Sequence, residues 1–287
     1  MAKKSSWKKV VLLVLASLWV IWPLSIMVEE GFRIDIGPFF SGKGTTFVGK
    51  FFQGQGGIRV TPVVYLRLLT LEAFPRLVLN SSIIAALSIG ISLAVGIPAA
   101  YALARYKFSG KALFTSFILI LRTISPFAVI VPFFIAYGQL GLFDTYVGMA
   151  LVYLIINIPI VTLMLRGFFT DIPRSIYEAA TTSGASEFTI LRKVALPLII
   201  PGLVATVIFA FVATWNEFTF AQFLSGISVK PVSRAVWSGF GESIESFRVL
   251  DFDELNAGGT LALIPALILS LAIKRYMARG LTLGTTH

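Results

Sequence analysis

Side chains able to make or break a covalent bond are scarce in this chain. Cysteine is absent, which removes thiol catalysis, disulfides and Cys-ligated metal. The only histidine is His287, the final residue, so neither a catalytic nor a metal site is expected. The polar groups of interest sit instead inside apolar runs: Arg122, Asn157 and the contiguous Trp215, Asn216 and Glu217. A charge in such a run is costly and is read first as functional. A carboxylate, an amide and an indole together offer hydrogen bonds and a stacking face suited to a hydroxyl-rich solute. The alternative makes Trp215 an interfacial anchor and Glu217 an acid reaching lipid headgroups. Asn157, close to Pro159, faces either a cavity or a neighbouring helix. Arg122 bonds carbonyls loosened by Pro126 or reaches for the surface. At 1.5 Å per residue, Arg122 and Glu217 differ in depth by roughly 13 Å, so no ion pair between them is expected. Two runs, Gly37 to Lys43 and Gly44 to Lys50, match the first half of a phosphate-binding loop but lack its Ser or Thr, and read as a Gly-rich loop.

The elements that position these residues follow from composition. The chain has 287 residues, 56% of them hydrophobic and only 13% charged, against about 25% charged in an ordinary soluble domain. Mean hydropathy is +0.87. Six apolar blocks have the length of membrane spans: Val10 to Val28, Leu77 to Tyr101, Ala112 to Tyr137, Tyr146 to Leu165, Leu198 to Leu224 and Gly258 to Ile273. The sixth is short and must borrow from its flanks. The first ends in Met27-Val28-Glu29-Glu30 with no small-x-small site, so it reads as a retained span and not a signal peptide. With the N-terminus in the cytoplasm, fourteen Lys and Arg fall on cytoplasmic segments and nine outside, six of those nine in one long loop. Both termini are therefore expected to be cytoplasmic. The net charge of +10 is explained by this bias and implies no nucleic-acid partner. Tyr65 to Phe74 reads as a short interfacial helix leading into the second span.

The segment from Arg166 to Pro197, between the fourth and fifth spans, is too long for a bare connection. Ser175 followed by Glu178 has the spacing of a capping box, which predicts a helix starting near Ile176. Ile176, Ala180, Gly184 and Phe188 recur every four residues, with Gly184 as the expected break. Such a helix either packs under its own spans or receives another surface on its small residues. Pro98, Pro126, Pro132, Pro159 and Pro201 interrupt spans two to five, as suits helices that bend around a cavity.

Glu178-Ala179-Ala180, three residues, Gly184, nine residues, then Val194-Ala195-Leu196-Pro197 resembles the EAA signature of the permease subunits of binding-protein-dependent ABC importers. The likeness extends to Leu79-Asn80-Ser81, Ala100 to Arg105, Leu140 to Thr145, Trp215 to Phe218 and Gly280 to Gly284, and covers about residues 65 to 284. It is similar to the carbohydrate-uptake branch and its smaller, MalG-like permease. Ser183 stands where Asp commonly precedes the motif Gly, and Val194 where Ile is usual. The resemblance implies an all-α membrane protein of six transmembrane helices, the type I importer permease fold, with a cytoplasmic coupling helix. It implies a first span and outer loop over residues 1–64, the permease core over 65–275 and a cytoplasmic tail over 276–287. Glu178, Ala179, Ala180 and Gly184 would dock on an ATPase, and Leu196 and Pro197 would restart the chain into the fifth span. Asn157, Trp215, Asn216 and Glu217 are the candidates for the solute path. The implied partners are a homologous permease, two cytoplasmic ATPase subunits that hold ATP and Mg, an extracytoplasmic binding protein and a sugar, in the lipid of a prokaryotic inner membrane. An ion-coupled carrier using Glu217, or an ABC permease for a non-sugar solute, remains the alternative.

Overall fold

The computed structural model describes residues 14, 17–18, 21–25, 28, 33–34, 59–60, 63–70, 73–238 and 252–282. The expected first span falls largely outside them, as do both Gly-Lys runs and residues 283–287. The chain divides into two compact units, Met1–Arg76 with Ala235–Ile264, and Leu77–Arg234 with Pro265–His287. In the first, β1 (Arg33–Ile34) pairs antiparallel with β2 (Arg59–Val60), Arg33 opposite Val60. Helix α1 (Val63–Thr70) lies where a short interfacial helix was expected, and its Tyr65 hydroxyl donates to the Val28 carbonyl.

The remaining described elements are helical: α2 (Ala73–Arg105), α3 (Lys111–Thr123), α4 (Pro126–Leu140), α5 (Tyr146–Val152), α6 (Leu154–Thr170), α7 (Arg174–Thr182), α8 (Glu187–Leu198), α9 (Ile200–Trp215), α10 (Thr219–Leu224), α11 (Val232–Ser238) and α12 (Phe252–Thr282). Only α2 is by itself long and apolar enough to cross a bilayer among the described residues. The third and fourth blocks, expected as single spans, are instead bent pairs: α3 and α4 at 90°, α5 and α6 at 48°. The fifth, Leu198 to Leu224, is divided between α9 and α10, and α9 itself meets α8 at 79°. The sixth block lies within α12, whose apolar stretch Asn256–Leu271 is extended by flanking helix, as its short length required.

Proline chemistry explains two of the bends. Pro126 opens α4, where its missing N–H costs nothing, and it forces Ser125 into an extended conformation (φ −66, ψ 129) that ends the helical path. Ile199, at φ −98 and ψ 11, is flanked by Pro197 and Pro201, and the preceding turns widen into a π-helix over Ile190–Ala195. Pro98, Pro132 and Pro159 stay inside their helices without a break.

Two buried clusters organise the second unit. One joins Ala85, Ile89, Ala100 and Tyr101 of α2 to Val161, Leu165 and Phe169 of α6, Ala210 of α9, and Tyr177 of α7. The other joins Ile130 and Tyr137 of α4, Met149 and Val152 of α5, and Phe220 and Leu224 of α10. In lipid, helices associate by close packing more than by escape from water, so small residues matter at crossings. A Cβ on Gly96 would strike Val161 at 2.6 Å, and one on Gly202 would enter the Phe168 ring.

The second cluster ends in a knot of loops. Asp144 adopts φ 56, a left-handed conformation that Asp tolerates better than most residues, and its N–H donates to the Leu224 carbonyl. Its carboxylate accepts from the backbone N–H groups of Gly226 (2.6 Å), Ser228 (2.9 Å) and Val229 (2.9 Å). Nearby, the Asn80 amide donates to the Lys230 carbonyl and its oxygen accepts from the Tyr146 hydroxyl, while the Ser81 hydroxyl accepts from the Val232 N–H. Burial alone would raise the Asp144 pKa, but the Val229, Ser228 and Gly226 amides outweigh it and hold the carboxyl below its ordinary range. A depressed carboxyl pKa contributes stability that is complete above the unfolded value and is lost as pH falls through the folded one. Asp144→Ala should therefore lower the thermal midpoint in detergent at neutral pH, by the equivalent of about 1–3 kcal/mol for orphaning an amide of buried Val229. The deficit should shrink when the same measurement is made in acid below the carboxylate range.

Candidate functional site

Helix α7 does not start from the predicted capping box. It begins at Arg174 with Pro173 (φ −55, ψ 136) as N-cap and no side-chain cap. Ser175 already lies in the first turn, so its hydroxyl is past the position from which it could cap, and Glu178 is released from that role. The far end behaves as expected of Gly184. The Thr181, Thr182 and Ser183 hydroxyls donate to the Tyr177, Glu178 and Ala179 carbonyls. Gly184, at φ 79, then donates to the Thr181 carbonyl and Ala185 to the Ala180 carbonyl, the pairing of a Schellman turn. The Ala179, Ala180 and Thr181 carbonyls at the helix end are thus met, and a side chain at 184 would encounter open space; only the backbone conformation demands glycine.

The helix has two faces. Tyr177 is buried, and Ile176 and Ala180 are half-buried against the α2–α6–α9 cluster. Glu178, Ala179, Thr182, Ser183 and Gly184 are exposed, and Phe188 beyond the turn is 70% exposed. The predicted stripe of Ile176, Ala180, Gly184 and Phe188 is therefore divided, its first half inside and its second half outside. Leu196 packs on the same cluster, and exposed Pro197 precedes the bend into α9.

The connection from α7 to the helices carries polar contacts that the sequence reading counted only as charges. Arg105, at the C-terminal end of α2, donates from Nη1 to the Tyr101 hydroxyl (2.7 Å) and from Nη2 to the Thr181 hydroxyl (3.2 Å). It also pairs with Glu187 at 2.9 Å, and the Tyr101 hydroxyl donates to the other Glu187 oxygen at 3.1 Å. The guanidinium lies 5.0 Å from the Tyr177 ring centre, 5.7 Å from Tyr106 and 5.8 Å from Tyr101. Burial pushes the Tyr177 hydroxyl pKa up, with a partial offset from Arg105, so this cage stays neutral around its cation. The one signal in the sequence was the four-residue spacing of Tyr101 and Arg105 on one helix.

The four candidates for a solute path separate. Asn157 is fully buried and faces neighbouring helices: its amide donates to the Ser88 hydroxyl (2.9 Å) and the Thr214 hydroxyl (2.8 Å), linking α6 to α2 and α9. Trp215 is buried and stacked on Phe211, centroids 5.3 Å apart, so it is no interfacial anchor. Asn216 and Glu217 occupy the break between α9 and α10. The Asn216 amide donates back to the Val212 carbonyl (2.9 Å), and the buried Glu217 carboxylate accepts from the N–H groups of Phe220 (3.0 Å) and Ala221 (3.3 Å). One residue caps the helix that ends and the other the helix that begins. Arg122 is exposed on α3.

Residues 92–283 match the family described as binding-protein-dependent transport system inner membrane component. A probable ABC transporter permease protein, y4oR of Sinorhizobium fredii, is 32% identical over 221 residues, covering 77% of this chain and 78% of that one. The trehalose transport system permease protein SugB of Mycobacterium tuberculosis is 31% identical over 74% of this chain and 77% of its own. A chain of a bacterial ABC transporter involved in import of the acidic polysaccharide alginate shares the fold, with TM-score 0.72 and 22% identity over 96% of this chain and 99% of that one.

The capping geometry at Glu217 makes a direct prediction. Glu217→Ala should lower the thermal midpoint by the equivalent of about 1–3 kcal/mol per orphaned amide, whereas Glu217→Gln, which keeps one acceptor, should lose less. A normal midpoint in Glu217→Ala with impaired uptake would restore the solute-path reading.

Proposed function

The chain belongs to the family of binding-protein-dependent transport system inner membrane components, and from that membership we propose that it is the permease half of an ATP-driven importer for a sugar or oligosaccharide. It is a membrane subunit without bond chemistry of its own. The sugar class is supported by relatives such as the trehalose permease and by the alginate importer's fold. The partners in this reading are a homologous second permease, two cytoplasmic ATPase subunits that hold ATP and Mg, and an extracytoplasmic binding protein. In this reading both termini and α7 face the cytoplasm, which the distribution of Lys and Arg supports.

The observation that carries the reading is the two-faced α7. Its inner face is packed on the α2–α6–α9 cluster, while Glu178, Ala179 and Gly184 lie exposed at a helix end closed by the Gly184 turn. Small residues permit a second protein to approach closely, and Glu178, freed from capping, is available to a basic group on the ATPase. Ala180 contributes from its half-buried side, and Leu196 and Pro197 lead the load into the bend before α9. Closure of the ATPase pair on ATP would then displace α7 and rock the bent helices between two access states. The ion-coupled alternative placed its ion at Glu217, but both oxygens of that carboxylate already accept backbone amides.

Purification from membranes in mild detergent should recover an ATPase, a sister permease and a binding protein whose ligand identifies the sugar; uptake that collapses with an uncoupler and survives loss of the ATPase would defeat the reading. Gly184→Leu strains the turn by about 1–2 kcal/mol and fills the approach. Uptake of that sugar should fall at least tenfold while the protein remains in the membrane.

A further inference from the structure

We infer that Arg105 is a positioning residue for coupling: by binding Thr181 on one side of the Gly184 turn and Glu187 on the other, it locks α7 and α8 to the end of α2 so that a push on α7 moves both spans together. The inference rests on the reading of α7 as the docking helix and adds the means by which its movement is passed on.

The need for such a lock follows from the backbone. Gly184 sits in a left-handed turn with open space around it, and two short segments meet there. A hinge of this kind would let α7 swing under load without moving α8. Arg105 spans it. Its Nη2 reaches Thr181 before the turn (3.2 Å) and Glu187 after it (2.9 Å), while Nη1 is tied to Tyr101 on its own helix (2.7 Å). Tyr101 itself reaches Glu187 at 3.1 Å, which closes a ring of contacts from α2 to α8. Behind α8 lies the 79° bend into α9, and behind Arg105 lies the unbroken α2, so the two spans joined are one rigid and one jointed.

Several features suit an arginine and no other cation. The fork makes three directed bonds at once, which an ammonium at the end of a flexible stem cannot hold in one geometry. Three tyrosine rings surround the guanidinium and limit water, and its side chain is only 16% exposed against 52% for Glu187. The pair is therefore less screened than one on an open surface. The negative end of the α2 dipole adds a further attraction for the cation.

Because the chain has no cysteine, a single Cys can report on motion. Ile227 is exposed in the loop after α10, near the Asp144 knot and beyond the ends of α6 and α9 that lie away from α7. Ile227→Cys, labelled with an environment-sensitive fluorophore in the purified whole assembly, should change its emission when ATP and vanadate trap the ATPase closed. This readout needs no substrate. Arg105→Gln should reduce that change at least fivefold per ATPase bound, Arg105→Lys should fall between, and Glu187→Gln should weaken it about twofold. A purely structural role would lower the yield of assembly and leave the change per bound ATPase intact, which would overturn the inference. An undiminished response in Glu187→Gln would overturn it too, and decides the matter if Arg105→Gln fails to assemble. If the unsubstituted chain binds no ATPase, the importer reading falls and takes this inference with it; if it responds to ATP and Arg105→Gln responds equally, only the lock is lost.

Discussion

A helix in hydrocarbon must find partners for its own backbone, and wherever this chain breaks a helix it has to supply them from elsewhere. That constraint explains where its polar side chains went. At the break after α9, Asn216 donates to a carbonyl of the helix that ends and Glu217 accepts amides of the helix that begins. At the loop after α4, Asp144 gathers three amides of a distant segment, and at the start of α5 the Thr145 hydroxyl accepts from the Gly148 N–H. Proline serves the same end by lacking a donor, as at Pro126 and Pro201.

The bends that result give the molecule a division of labour. Helix α2 runs without interruption for 33 residues, whereas α3–α4, α5–α6 and α8–α9 are jointed. A jointed span can change direction by adjusting a few dihedrals, while its segments stay packed through contacts such as Gly202 on Phe168. The polar bond from Asn157 to Ser88 and Thr214 pins α6 to α2 and α9 within the bundle. The segment packed against α2, α6 and α9 from outside is α7, held by its Arg105 fastening.

Much of this was legible one-dimensionally. Apolar block length announced the long helix α2 and the apolar stretch of α12, the loop from Arg166 to Pro197 announced structure of its own, and Gly184 announced a helix end because a left-handed residue there has a strong preference for glycine. The Ser175–Glu178 spacing misled, since a capping box is defined by conformation and Pro173 had already set the helix entry two residues earlier. Glu217 is ambiguous in a different way. An acid in an apolar run is either a functional charge or a backbone cap, and the two have the same sequence signature.

What the sequence alone determined is membrane residence, the positions of the apolar blocks, and the family through the spacing of Glu178, Gly184 and Pro197. These depend on composition and on near neighbours along the chain. Tertiary structure alone decided which blocks bend and how far, which face of α7 is free, that the Glu217 carboxylate accepts the first amides of α10, and that Arg105 meets Glu187 across 82 positions of chain. Those outcomes depend on which groups folding brings within about 3 Å of one another, and hydrogen bonds of that length carry no periodicity for a sequence to display.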